Sequence, residues 1–316
     1  MGLKYQIVTI LVFLFLTSSC GIFISNPRIS NVKSIDCSMT ETTFKYSDST
    51  SNYINKNITS NTSVIVICIH GLGAHAGSFS SIQHFFYEKN ISSVSIDLRG
   101  FGHWSGKKGD IDNIGVHLDD LKQVIYCVKS EYKPNKIILL GESLGSSLAI
   151  WYAYKNPHEV DGLILTSLVT THRKSQISIK SALKLLIGYT FIPRKPISLD
   201  YEPKHFSNNE DFIEWAFRID TLGTRKISTR YLVQSNRVIK NSYKQLCSIS
   251  IPTLILQGGK DLLSDKKDIE NILSKCNNSR ISHEYYADNF HFLINDTNRL
   301  VIFDKINTWL SEYILK

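Results

Sequence analysis

The 316-residue chain lacks an apolar run that would cross a bilayer comfortably. The run nearest its start, Ile7 to Leu16, is about ten residues long, and a spanning helix needs about 20. It also lacks a long basic block. Its 36 Lys and Arg are spread along the chain with 28 acids between them. With no nucleic-acid motif, that pattern excludes nucleic acid as an expected partner. It leaves a soluble basic surface, or a modest attraction to an anionic membrane. Cysteine is scarce, at six residues, and the spacings of Cys37, Cys68, Cys127, Cys247 and Cys276 fit no zinc pattern. Cys68 falls in an apolar strand and Cys127 in an amphipathic helix, so both read as core fillers. A Cys247–Cys276 disulfide is left open, since spacing does not support it.

What stands at the N-terminus is a secretory signal in layout. Lys4 is a small basic region, the apolar run follows, and Thr17-Ser18-Ser19 lead to Cys20. Small residues directly before a cysteine resemble the lipobox of bacterial lipoproteins, with Thr17 where Leu is usual. The resemblance implies cleavage before Cys20, a lipid on that cysteine and a place in the cell envelope. A soluble secreted protein and an uncleaved signal anchor are the alternatives. Loss of residues 1–19 removes Lys4 and no acid, so the net charge falls from +8 to +7.

The remaining length suits one large domain with an insertion. Residues 20–41, rich in Ser, Asn and Thr, read as a tether, and edge strands are expected at 42–46 and 51–54. Beyond them, buried strands at 63–69, 92–96, 137–140, 160–167 and 251–257, with a further strand at 280–286, alternate with helices at 80–89, 113–132, 146–154, 265–276 and 297–313. Such alternation predicts an α/β fold with a mostly parallel sheet and helices on both faces. The alternation fails from 169 to 249.

The stretch KIILLGESLGSSLAI, Lys136 to Ile150, organises the rest. A β-branched apolar run, a G-x-S-x-G turn and a helix make a nucleophile elbow, with Ser143 as the nucleophile. Side chains at Gly141 or Gly145 would collide where strand and helix close together. A serine hydroxyl needs a base, and the base an orienting acid. In this fold the chain order is Ser, acid, His. Asp261 directly follows the strand 251–257, and His291 lies in the loop before the last helix. Asp265 and Asp268 read as helix surface, His283 sits inside a strand, and His158, His172 and His205 lie outside the expected loop. Two backbone N–H groups must meet the oxyanion. Leu144 follows the nucleophile, and Leu72 lies in the turn His70-Gly71-Leu72-Gly73, whose glycines let the backbone approach. His70 and His75 are expected to brace that turn.

These blocks resemble the monoacylglycerol lipase and lysophospholipase group of α/β-hydrolases over residues 63 to 313. H-G-x-G-x-H matches His70 to His75, D-x-x-G-x-G matches Asp97 to Gly102, and the elbow matches at Gly141 to Gly145. LILQGGKDLL, Leu254 to Leu263, resembles the acid segment and puts the acid on Asp261. YYADNFHFL, Tyr285 to Leu293, resembles the histidine segment and puts the base on His291. The chain departs from the group at Ser146, where a second Gly is frequent, and at His103-Trp104 before Ser105. Halide and epoxide enzymes of this fold usually carry Asp at the nucleophile, and position 143 is Ser.

With the signal peptide at 1–19 and the tether at 20–41, the resemblance implies a core in two parts (42–168 and 250–316) and a lid at 169–249. In the lid, Ile177 to Tyr189 reads either as a helix facing acyl chains or a membrane, or as one packed on the core with its lysines in water. Phe212, Trp215 and Phe217 either line a pocket or hold the lid together. The implied activity is a serine carboxylester hydrolase on lipid-like esters, working without metal or organic cofactor. An aminopeptidase or acyltransferase on the same triad, and a binding lipoprotein without activity, remain as alternatives.

Overall fold

The computed structural model describes residues 37–60, 62–170, 188–199, 202–276 and 278–315. The expected signal, Cys20, most of the tether, His172 and the greater part of the 177–189 stretch lie outside the described residues. Within them the chain opens with three strands, β1 (Ser38–Met39), β2 (Thr43–Lys45) and β3 (Ser51–Asn57). Then come β4 (Val64–Ile69), β5 (Ser92–Ile96), β6 (Lys136–Glu142) and β7 (Gly162–Thr166). The short strands β8 (Pro196–Ser198) and β9 (Lys226–Ser228) pair only with each other, and β10 (Thr253–Gly258) and β11 (Ile281–Tyr286) complete the set. Nine strands form one sheet in the order β1-β2-β3-β5-β4-β6-β7-β10-β11. The pairings from β5 to β11 are all parallel, and the β1-β2-β3 edge is antiparallel. The expected α/β-hydrolase arrangement is therefore present. The edge extends further than the sequence indicated, through β1 and the C-terminal half of β3.

The helices are α1 (Ser80–Glu88), α2 (Val116–Tyr132), α3 (Leu144–Lys155), the short α4 (Glu210–Glu214), α5 (Thr229–Leu246), α6 (Lys266–Lys275) and α7 (Arg299–Tyr313). Strand β4, VIVICI, is buried at every position because both faces are covered. Val64, Val66 and Cys68 pack with Phe86 of α1 and with Phe303 and Trp309 of α7. Ile65, Ile67 and Ile69 lie in the opposite layer with Leu121 of α2, Leu148 of α3 and Val238 of α5. Each such side chain taken fully from water contributes about 1.5–3 kcal/mol.

In the segment 169–249, the described residues hold the β8–β9 pair, α4, one wide helical turn over Trp215–Ile219, and α5. Helix α5 packs against α3: Trp151 Nε1 donates to the Val238 carbonyl at 3.0 Å, and Tyr231, Val238 and Leu246 join the core. This last helix is thus built into the main body, and the described residues from 202 to 228 that precede it are called the cap below.

The cysteine reading needs one correction. Cys127 is not a simple core filler: it is disulfide-bonded to Cys37, 90 residues away, with Cα atoms 5.3 Å apart. The buried face of α2 brings it beside the chain's first strand, a contact that linear spacing cannot reveal. Cys247 and Cys276 are also bonded, joining the ends of α5 and α6. Cys68 is free and buried, and burial pushes its thiol pKa up.

Candidate active site

Strand β6 ends at Glu142, and α3 starts at Leu144. Ser143 between them has φ 56° and ψ −115°, outside the regions favoured by side-chain-bearing residues. The two elbow glycines are required by contact. A Cβ on Gly145 would lie 1.9 Å from the Ile69 carbonyl oxygen, and one on Gly141 would lie 2.5 Å from the Gly145 backbone. The Ser143 N–H donates to the Thr166 carbonyl at 3.0 Å, tying the turn to β7. Ser146, one of the departures from the family pattern, is buried and donates its hydroxyl toward the carbonyls of Gly141 (2.7 Å) and Thr166 (2.9 Å). A serine here pins the strand end to the helix start.

Asp261 lies just past β10, and His291 lies between β11 and α7. The structure brings them together: His291 Nδ1 and Asp261 Oδ2 are 2.8 Å apart, and both side chains are almost wholly buried. Asp261 is itself oriented, accepting from Gln257 Nε2 at 2.9 Å and from the Leu263 N–H at 2.7 Å. Burial depresses the His291 pKa, but the charge of Asp261, its hydrogen bond and the charge of Glu142 outweigh burial and hold the imidazole above its ordinary value. Ser143 and His291 line one cavity. Asp265 instead caps α6, accepting from the Lys267 N–H, and His283 is within β11, as the sequence indicated.

The turn after β4 reaches the nucleophile because Gly71 has no side chain. A Cβ there would stand 3.0 Å from Ser143 Cβ. His70 braces the turn in one fixed tautomer. Its Nδ1–H donates to the Gly71 carbonyl at 2.7 Å, and its Nε2 accepts from the Leu98 N–H at 2.9 Å. Burial lowers its pKa to about 4, so it stays neutral. The D-x-x-G-x-G block serves the same turn. Asp97 accepts from the N–H groups of Ala76 and His103, both at 2.7 Å, and Gly102 is needed because a Cβ would overlap the Asp97 carboxylate. Leu72 and Leu144 both line the cavity. As the first residue of α3, Leu144 has an N–H without an acceptor inside its helix.

The cavity has a volume of about 270 Å³ and mostly apolar walls. Phe212, Trp215 and Phe217, which the sequence left between two roles, fill both. They line the cavity, and they pack with one another's neighbours: Phe212 on Trp215 at 5.6 Å and on Phe292 at 5.5 Å, and Phe217 on Phe206 at 6.3 Å. Phe206 also stands perpendicular to His291, with ring centres 5.7 Å apart.

Three groups escaped the sequence reading. Glu142, the variable residue of the elbow, is fully buried, and neither carboxyl oxygen has a hydrogen-bond partner. Burial pushes its pKa to about 7, with His291 lowering it and Asp261 raising it. Its place beside Ser143 was a signal. Ser167 donates to the His291 carbonyl and so fixes the histidine loop. Asp220, in the cap, meets His75 at 3.1 Å; no periodic pattern marks it.

The family model Hydrolase_4, serine aminopeptidase S33, matches residues 60–298. A monoglyceride lipase homolog of Monkeypox virus is 27% identical over 254 residues, covering 79% of this chain and 90% of that protein. A probable lysophospholipase L2 of Haemophilus influenzae is 22% identical over 264 residues, 78% of this chain and 83% of that protein. Among solved structures, a soluble variant of monoglyceride lipase from Saccharomyces cerevisiae, in complex with a substrate analog, superposes with a TM-score of 0.77. It is 19% identical, and the match covers 90% of this chain and 99% of that one. At that identity the likeness is one of fold.

Proposed function

The chain belongs to the serine aminopeptidase S33 family, Hydrolase_4, and from that premise we propose that it is a serine carboxylester hydrolase acting on lipid-like esters of the monoacylglycerol or lysophospholipid type. The observation that carries the reading is the buried Asp261–His291 hydrogen bond beside a cavity that Ser143 opens onto. Ser143 Oγ attacks the ester carbonyl while His291 Nε2 takes its proton. Asp261 holds the Nδ1–H and stabilises the imidazolium. The carbonyl oxygen becomes an oxyanion held by the Leu72 and Leu144 N–H groups. Collapse expels the alcohol, which takes the proton from His291 and leaves an acyl-Ser143. Water, deprotonated by His291, then releases the acid and restores the serine.

The apolar walls favour an acyl chain. They also speak against the aminopeptidase alternative, which needs a carboxylate free to hold a substrate ammonium. Among the described residues lining the cavity the one acid is Asp220, and three N–H donors already engage it. The proposal extends to location. A lipid anchor on Cys20 would hold the enzyme in a bacterial envelope, and two disulfides suit an exported protein.

The test is labelling of Ser143 by a fluorophosphonate, with hydrolysis of p-nitrophenyl esters from acetate to palmitate. Wild-type protein should label and turn over medium or long chains, and Ser143→Ala should do neither. A folded wild type that does not label would sink the reading. Incorporation of labelled palmitate that survives Cys20→Ala would sink the anchor.

A further inference from the structure

Among the described residues, the cap meets the oxyanion turn through Asp220 and Thr224. His75 follows Leu72 by three residues and starts a 3-10 turn at Ala76–Phe79. Its Nδ1 accepts from the Gly77 N–H at 3.1 Å. That nitrogen therefore carries no proton, so Nε2 carries it and donates to Asp220 Oδ2 at 3.1 Å. Asp220 gathers two further donors. Its Oδ1 accepts from the Leu222 N–H and its Oδ2 from the Gly223 N–H, both at 2.9 Å. Both side chains are under a tenth exposed. The next residue of that cap turn, Thr224, donates its N–H to the Gly73 carbonyl at 2.8 Å. Gly73, at φ +85°, lies so close that a Cβ would be 2.6 Å from the Thr224 carbonyl oxygen. Within three residues after Leu72, Gly73 is thus held by Thr224 and His75 by Asp220.

We propose that Asp220 is a positioning residue, a latch by which the cap sets the Leu72 N–H for the oxyanion. The inference rests on the reading of Ser143 as a nucleophile. The polarity of the chain of hydrogen bonds explains why the residue is a carboxylate. The Leu222, Gly223 and His75 N–H groups are all donors, and all point at Asp220. An asparagine offers one oxygen acceptor and turns an NH₂ toward the others, so donor would face donor. With the latch loosened, the Leu72 N–H loses its fixed place. An oxyanion donor acts only in the transition state, so its displacement lowers kcat and spares KM. Loss of a whole oxyanion donor costs about 10²–10³ in kcat, and displacement should cost about 10-fold or more.

The experiment compares full-length wild type with Asp220→Asn, His75→Ala and the double variant. It reads kcat and KM on p-nitrophenyl butyrate, thermal unfolding, and hydrogen exchange at the amides of Leu72 to Gly77. Expected are a kcat lower by about 10-fold or more with KM within about twofold, faster exchange in the turn, and a double variant no worse than the poorer single one. An active wild type whose Asp220→Asn variant keeps its kcat and its exchange rate overturns the latch. So does a fall in kcat matched by a rise in KM and a collapse of thermal stability, which marks a merely structural contact. A wild type inert on all esters sinks the reading of Ser143 instead. The oxyanion role of the latch then falls with it.

Discussion

Gly145 approaches the Ile69 carbonyl so closely that even a methyl group on its Cα would sit 1.9 Å from the oxygen. The contact joins the start of α3 to the end of β4, the strand whose outgoing turn carries Leu72. One glycine therefore lets the two proposed oxyanion donors approach each other. Because the obstacle is backbone, no rotamer change relieves it. Gly145→Ala should cost about 3 kcal/mol or more, through strain in the packed centre of the sheet. Thermal unfolding would measure it. A variant with near wild-type stability would show that the elbow opens more easily than its geometry implies.

Two carboxyl groups bear on His291, and only one was expected. Asp261 bonds the imidazole directly, whereas Glu142 acts through its charge. Both raise the His291 pKa, and the proposed mechanism needs that imidazole neutral. Activity should therefore rise with pH through a midpoint above the ordinary histidine value of 6.5. Glu142→Gln removes one of the raising charges, so the midpoint should move to lower pH. A pH–rate profile of kcat/KM on a soluble ester would read it, and an unmoved midpoint would count against the coupling.

The same substitution has a stability signature with a definite sign. Glu142 has its folded pKa raised, from 4.5 to about 7, by burial. A group raised in the fold contributes stability below its unfolded value and loses it as pH rises through the folded one. Wild type should therefore lose stability between about pH 4.5 and 7 through this residue, and Glu142→Gln should flatten that loss. Thermal unfolding at pH 5 and pH 8 for both proteins checks it. Equal slopes would mean that Glu142 finds a partner when ionised.

The sequence made most of this site legible because its parts are local. The elbow is a strand, a turn and a helix in fifteen residues, Asp261 follows a strand whose apolar run is plain, and His291 lies in the loop before the closing helix. Their side chains meet because β10 and β11 are parallel neighbours. The cap was opaque for the opposite reason. Phe206, Trp215 and Asp220 sit on short turns without a period, and what places them is contact with His291, Phe212 and His75. Glu142 could have been noticed, since a carboxylate at the end of a buried strand is costly. Its lack of any partner, though, is a fact of packing.

The disulfides were beyond spacing as well, and they should matter to stability. Cys37–Cys127 closes a loop of 90 residues and Cys247–Cys276 one of 29. Each should contribute about 2–4 kcal/mol, the longer loop more, by limiting the unfolded chain. Cys37→Ser with Cys127→Ser should lower the melting temperature under oxidising conditions, and a reductant should lower that of wild type without touching Ser143, Asp261 or His291. A melting temperature indifferent to reductant would show that neither bond forms.

The cavity walls make the last prediction quantitative. An acyl chain entering past Phe206 and Trp215 leaves water one methylene at a time, and each buried methylene contributes about 0.8 kcal/mol. If that energy is expressed in the transition state, kcat/KM should climb by up to about fourfold per methylene until the cavity is full, and then level off. Trp215 walls the cavity from the cap and also rests on Phe212 and His75. Trp215→Ala should leave acetate hydrolysis nearly unchanged, since acetate has no chain to reach the ring, while the slope along the series from butyrate to decanoate becomes shallower. Because the ring touches His75, any effect through the oxyanion turn would lower all esters equally, acetate included. A uniform fall therefore assigns Trp215 to the turn, and a chain-length-dependent one assigns it to the acyl wall.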